Sequence, residues 1–94
     1  MTGYKQARRV ACVEDPGQEA VTYVAKVPDG EPVVLRGSAA LIWDAATLGA
    51  HPLDSWAVAQ VVADQVGVQA EDIHEDIQVF LAQLVEGGFL EVVP

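Results

Sequence analysis

The side chains able to do chemistry are few and scattered. Histidine occurs at His51 and His74 and cysteine only at Cys12. Nucleophilic catalysis needs a base and an orienting group near the nucleophile, and no hydroxyl or thiol here sits in a motif of that kind. A structural zinc needs four well-spaced sulfur or imidazole donors, which one Cys and two isolated His residues do not supply. Glu71, Asp72, Glu75 and Asp76 crowd together, yet they lack the alternating oxygen ligands and central glycine of a calcium loop. They read as the solvated start of a helix, where the dipole favours negative charge. The expectation is a protein that is not an enzyme and has no metal and no cofactor. His51 reads as a solvated loop residue, His74 as a half-buried or surface helix residue, and Cys12 as a buried thiol in the apolar run Val10–Val13.

Charge is distributed unevenly along the 94 residues. All the cations, Lys5, Arg8, Arg9, Lys26 and Arg36, lie in the first part of the chain and are balanced there by Glu14, Asp15, Glu19, Asp29 and Glu31. Everything after Arg36 is purely acidic, so the net charge of −9 belongs to the C-terminal part. Such a surface repels nucleic-acid phosphates. No apolar run is long enough to span a bilayer, and the N-terminus lacks the charged start and apolar stretch of a secretion signal. A soluble, cytoplasmic, single domain over residues 1–94 is expected, with no room for a fused catalytic domain.

The elements that must position any site follow from periodicity. From Lys5 to Arg36 the pattern has period two, in three runs separated by turn chemistry. The first strand is expected over about Gln6–Val13, ending at Asp15-Pro16-Gly17. The second is expected over about Ala20–Val27, with Val21, Tyr23, Ala25 and Val27 on one face and Thr22, Val24 and Lys26 on the other. After Pro28-Asp29-Gly30-Glu31-Pro32, a strong hairpin signal, the third runs Pro32–Arg36. Beyond Gly37 the period changes to about 3.6. A first helix is expected from an N-cap at Ser38 to about Leu48, with Leu41, Ile42, Ala45 and Leu48 on its apolar stripe. A second, capped by Asp54, carries Val58, Val61, Val62 and Val66 inward and stops at Gly67. A third spans about Glu71–Glu86, with Ile73, Ile77, Phe80, Leu81, Leu84 and Val85 in one stripe, and Gly87-Gly88 ends it. Phe89–Val93 reads as a closing strand or a docked tail. Trp43, off its helix's main stripe, and Trp56 are each a candidate partner contact if its helix face is exposed, with core packing favoured for Trp56.

An α+β chain with a three-stranded antiparallel sheet (residues 1–36) followed by three helices (37–94) can form a winged helix-turn-helix. Members of that fold often lay the last helix in the major groove, but this one carries no Lys or Arg, so the phosphate contacts that dominate DNA affinity are unavailable.

From Pro32 onward the residues resemble the PqqD family, the peptide-recognition elements of ribosomally made, post-translationally modified peptides. Three stretches carry the likeness: Val33-Val34-Leu35-Arg36-Gly37-Ser38-Ala39-Ala40-Leu41-Ile42-Trp43, then Val66-Gly67-Val68, then Asp76-Ile77-Gln78-Val79-Phe80-Leu81-Ala82-Gln83-Leu84-Val85-Glu86-Gly87-Gly88-Phe89-Leu90. Two departures are visible. The loop Thr47–Leu53 is longer than usual, and Gln69-Ala70 replaces the common Asp-Pro helix start.

The resemblance implies a protein that binds a precursor's leader peptide as a strand added to its third strand, with leader side chains entering a groove beside the third helix. A separate maturation enzyme (a cyclase, protease, radical enzyme or similar) would then act on the captured precursor. Carried over by position, the edge is Val33, Val34, Leu35 and Arg36, and the groove wall is His74, Ile77, Gln78, Leu81 and Val85, with Ile77 and Leu81 equally readable as ordinary core. Arg36 would pair either with a leader carboxylate or within the domain. Two rival classes stand beside this one. One is a winged-helix regulator contacting DNA through Lys5, Arg8 and Arg9. The other is a structural subunit or homodimer that pairs the same strand edge between copies.

Overall fold

The computed structural model describes residues 3–14, 21–47, 49 and 52–93. The expected turn at Asp15-Pro16-Gly17 and the loop residue His51 lie outside the described residues. The element order is β1 (Gly3–Gln6), β2 (Val10–Glu14), β3 (Val21–Lys26), β4 (Val33–Arg36), α1 (Ser38–Thr47), α2 (Ser55–Val66), α3 (Ala70–Glu86) and β5 (Leu90–Val93). The chain is α+β, with three helices against antiparallel strands, compatible with the expected winged-helix arrangement.

The expected first strand is two strands. At Gln6-Ala7-Arg8-Arg9 the chain leaves one sheet for another, and the Gln6 amide donates to the Val10 carbonyl oxygen at 2.6 Å across the break. β2 then pairs with β3 and β3 with β4, giving a three-stranded sheet of order β2-β3-β4. β1 instead pairs antiparallel with β5, placing Lys5 opposite Glu91, where their side chains form an exposed ion pair at 3.5 Å. β1 also grips the long loop before α2. The Tyr4 N–H donates to the Leu53 carbonyl at 3.0 Å, and Gly3 packs so closely that an added Cβ would lie 2.6 Å from that of Pro52.

Burial on β3 does not follow one face: Val21, Thr22 and Val24 are buried and Tyr23 and Lys26 exposed. Val27, just beyond the strand, is exposed as well. Thr22 leaves no unsatisfied buried polar atom, so the helical layer tolerates it. Cys12, expected inside, is an exposed free thiol in the middle of β2. In the hairpin before β4, the Gly30 N–H donates to the Lys26 carbonyl at 2.7 Å, an approach a Cβ would block at 2.5 Å.

α1 starts at Ser38 itself, after Gly37 at φ 59°. It packs on β4, β1 and α2 at once. Ala40, Ile42, Trp43 and Ala46 are therefore all buried, a wider apolar surface than a single stripe. α2 follows its expected cap: the Asp54 side chain accepts from the Ala57 N–H at 2.8 Å, and Gly67 closes it in the left-handed region at φ 78°. Its buried residues are Val58, Ala59, Val62 and Ala63, whereas Val61 and Val66 stand exposed. The small Ala59 and Ala63 are fully buried where α2 packs against its neighbours. α3 buries Ile77, Leu81 and Leu84 and ends at Gly87-Gly88, with Gly88 at φ 84°. The core is centred on Trp43, Leu81, Leu90, Val24 and Val58.

Candidate functional site

β4 is an edge strand. Its inner side is hydrogen-bonded to β3, with Val33 opposite Val24, Val34 opposite Tyr23, Leu35 opposite Thr22 and Arg36 opposite Val21. On its outer side no strand pairs with it among the described residues. Such an edge presents alternating main-chain donors and acceptors, a template for another strand. The C-terminal segment, which could have covered it, is occupied with β1. Val33 and Leu35 share one face of the pleat and Val34 and Arg36 the other, but only Leu35 is buried. Leu35 is 5% exposed and anchors the strand in the core, while Val33 and Val34 are each 40% exposed. Arg36 is exposed, and the one ion pair among the described residues, Lys5–Glu91, does not involve it.

Two residues beyond β4, Ser38 lines the mouth of a pocket of about 160 Å³. Its walls come from Ile42 of α1, Val62 and Val66 of α2, and Ile73, Asp76 and Ile77 of α3. All the lining side chains but Ser38 and Asp76 are aliphatic, so the cavity is greasy with a carboxylate at its rim. Asp76 is exposed and has no cationic partner within ion-pair distance among the described residues.

The residues predicted for the site divide into groups. Val33, Val34, Leu35 and Arg36 form one continuous edge. Ile77 and Leu81 are 2% and 0% exposed, so both belong to the core, with Ile77 also reaching the pocket. His74, Gln78 and Val85 are not among the pocket's lining residues. At 100° per residue they lie on the flank of α3 opposite to Ile73 and Asp76. Gln78 is exposed and Val85 packs against the core's margin. His74 reaches the start of α2, where its ring stacks on Trp56 with centroids 3.6 Å apart and planes 9° from parallel. Its Nε2 hydrogen-bonds the Ser55 hydroxyl at 2.9 Å.

Trp56, for which core packing is favoured from the sequence, is outside, and Trp43, off the main stripe, is inside. Trp43 is 1% exposed and Trp56 53% exposed. Trp43 is enclosed because α1 has neighbours on several sides, and Trp56 is outside because the second residue after the Asp54 cap precedes the buried stripe. The pocket residues Ser38, Ile42, Val62, Val66, Ile73 and Asp76 were not singled out as a site from the sequence. Ser38, Ile42, Val66 and Asp76 fall within the stretches that carry the family likeness, but only the fold joins three helices around one cavity.

Among the described residues no three His, Cys, Asp or Glu side chains gather as a metal site, and no helix is long and apolar enough to cross a membrane. No curated protein and no solved structure matches the chain. Residues 20–90, from the start of β3 to the start of β5, match the family model described as Coenzyme PQQ synthesis protein D (PqqD). That span contains the free edge, the pocket and all three helices, well over half of the sequence, and the chain therefore belongs to the PqqD family, the RiPP recognition elements of ribosomal-peptide biosynthesis.

Proposed function

We propose that this protein captures the leader of a ribosomally made precursor peptide as an added strand on β4 and holds it for a separate modifying enzyme, without catalysing a step itself. The observation that carries this is the outer edge of β4, unpaired among the described residues and followed two residues later by Ser38, which lines an apolar pocket. Membership of the PqqD family supports a peptide and a modifying enzyme as its partners.

The physics of strand addition suits the role. Main-chain hydrogen bonds give affinity that is largely independent of the peptide's side chains, and pockets for alternate side chains supply selection. Holding the leader also raises the local concentration of the attached core peptide at an enzyme bound to the same complex. In this reading the edge is Val33, Val34, Leu35 and Arg36, Ile77 reaches the pocket from the core, Leu81 supports α3 from beneath, and His74, Gln78 and Val85 lie on the other flank of α3.

The test is a titration of fluorescently labelled precursor leader, repeated with two versions N-methylated at alternate amides in opposite phase. An added strand points only every second N–H at its neighbour. One phase is expected to abolish binding and the other to be tolerated. Equal tolerance of both phases, or no saturable binding at micromolar protein, contradicts the proposal.

A further inference from the structure

The pocket beside β4 combines a greasy shaft with one charged atom group at its rim. Ile42, Val62, Ile73 and Ile77 line the shaft, Ser38 offers a hydroxyl, and Asp76 stands exposed without a cationic partner among the described residues. A purely aliphatic guest would satisfy the shaft but would bring its apolar tip or backbone beside an unneutralised carboxylate. An acidic guest would meet like charge, both from Asp76 and from a chain whose residues beyond Arg36 include no cation at all. Lysine and arginine match both features, because their methylene stems cover apolar surface while the charged head reaches a polar rim.

We infer that the pocket takes the side chain of a Lys or Arg in the bound leader, the stem lying against Ile42, Val62, Ile73 and Ile77 and the cationic head meeting Asp76. This rests on the leader-binding role proposed above and names what that site selects. A peptide running along β4 extends past Arg36 towards Ser38, so the selected residue lies at the end of the added strand that meets the C-terminal end of β4. The head, held at a partly open rim, donates to the carboxylate and strengthens binding modestly rather than dominating it.

The experiment pans a displayed library of short random peptides against the folded protein, then measures selected peptides by fluorescence anisotropy against the protein, its Asp76→Asn variant and its Glu75→Gln variant. Glu75 is exposed on the same helix and outside the pocket, so it controls for the loss of one negative charge. Circular dichroism checks that each variant folds. Selected peptides are expected to share a Lys or Arg at one fixed position. Asp76→Asn is expected to weaken them by about 3- to 10-fold, and Glu75→Gln to leave them within about 2-fold, the scale of a solvated charge at a distance. Selected peptides that bind without a basic residue, or that lose as much to Glu75→Gln as to Asp76→Asn, overturn this inference and leave strand capture standing. A library that yields no binders at all overturns strand capture, and the inference with it.

Discussion

At the contact of His74 with Trp56 and Ser55, a histidine on the flank of α3 is held by a ring stack and a hydrogen bond rather than pointing into the pocket. His74→Ala is expected to cost about 0.5–1.5 kcal/mol through the lost aromatic contact. Urea denaturation measures it, and a loss of leader affinity at unchanged stability would instead place His74 on the bound peptide. Asp44, on α1, behaves differently. Burial, with the charge on Glu14 second, raises its carboxyl pKa above the usual value. A carboxyl that holds its proton more tightly when folded contributes stability in acid that is lost as pH rises through its folded pKa. Asp44→Asn is therefore expected to melt at a higher temperature than the parent at neutral pH, the gap closing as pH falls below the ordinary carboxylate range. A gap independent of pH contradicts the assignment. These residue environments were the least legible part of the sequence. A single apolar stripe gives no place to Trp43, because three elements pack around α1, and Trp56 lies before the buried stripe of α2. The thiol of Cys12 misled for a related reason: an apolar run suggests burial, but β2 is the far edge of its sheet.

Among the elements, those with strong local signals were predicted closely. The Asp54 cap, the Gly67 stop, the run of α3 and the end at Gly87-Gly88 depend on chemistry within a few residues, and all are present. The break between β1 and β2 was not legible. Period two continues across Gln6–Val13, and only the pairing of β1 with β5, more than eighty residues away in sequence, makes the chain change sheets. The strand Val33–Arg36 is legible from its period-two run before the helix, whereas its place as a binding edge comes only from the family resemblance. The pocket was not legible, since it joins three helices whose relative rotation no local pattern specifies. α3 has two jobs, and substitutions separate them. Leu81→Ala removes a fully buried side chain and is expected to cost about 2–5 kcal/mol. Gln78→Ala, exposed on the far flank, is expected to stay within about 0.5 kcal/mol. Denaturant midpoints for the pair check this, and a large stability loss at Gln78 would show that flank to be packed.

The whole molecule is acidic, and β4 is one of its strand edges left unpaired among the described residues. Its net charge of −9 and the absence of any Lys or Arg from α3 predict that duplex DNA is not retarded in a gel shift even at low salt, where phosphate contacts are strongest. Retardation that fades with added salt would favour the cations of the N-terminal turn, Arg8 and Arg9, as a contact. PqqD membership and the free edge together point to a peptide instead, and the account depends on β4 becoming an interior strand when that peptide arrives. Amide hydrogen exchange reads this directly, because an outward N–H on an edge has no partner until a strand is added. In the free protein the outward-pointing amides of Val33–Arg36 are expected to exchange rapidly, and saturation with leader is expected to slow those same amides. Saturable binding that leaves exchange along Val33–Arg36 unchanged would contradict capture on this edge.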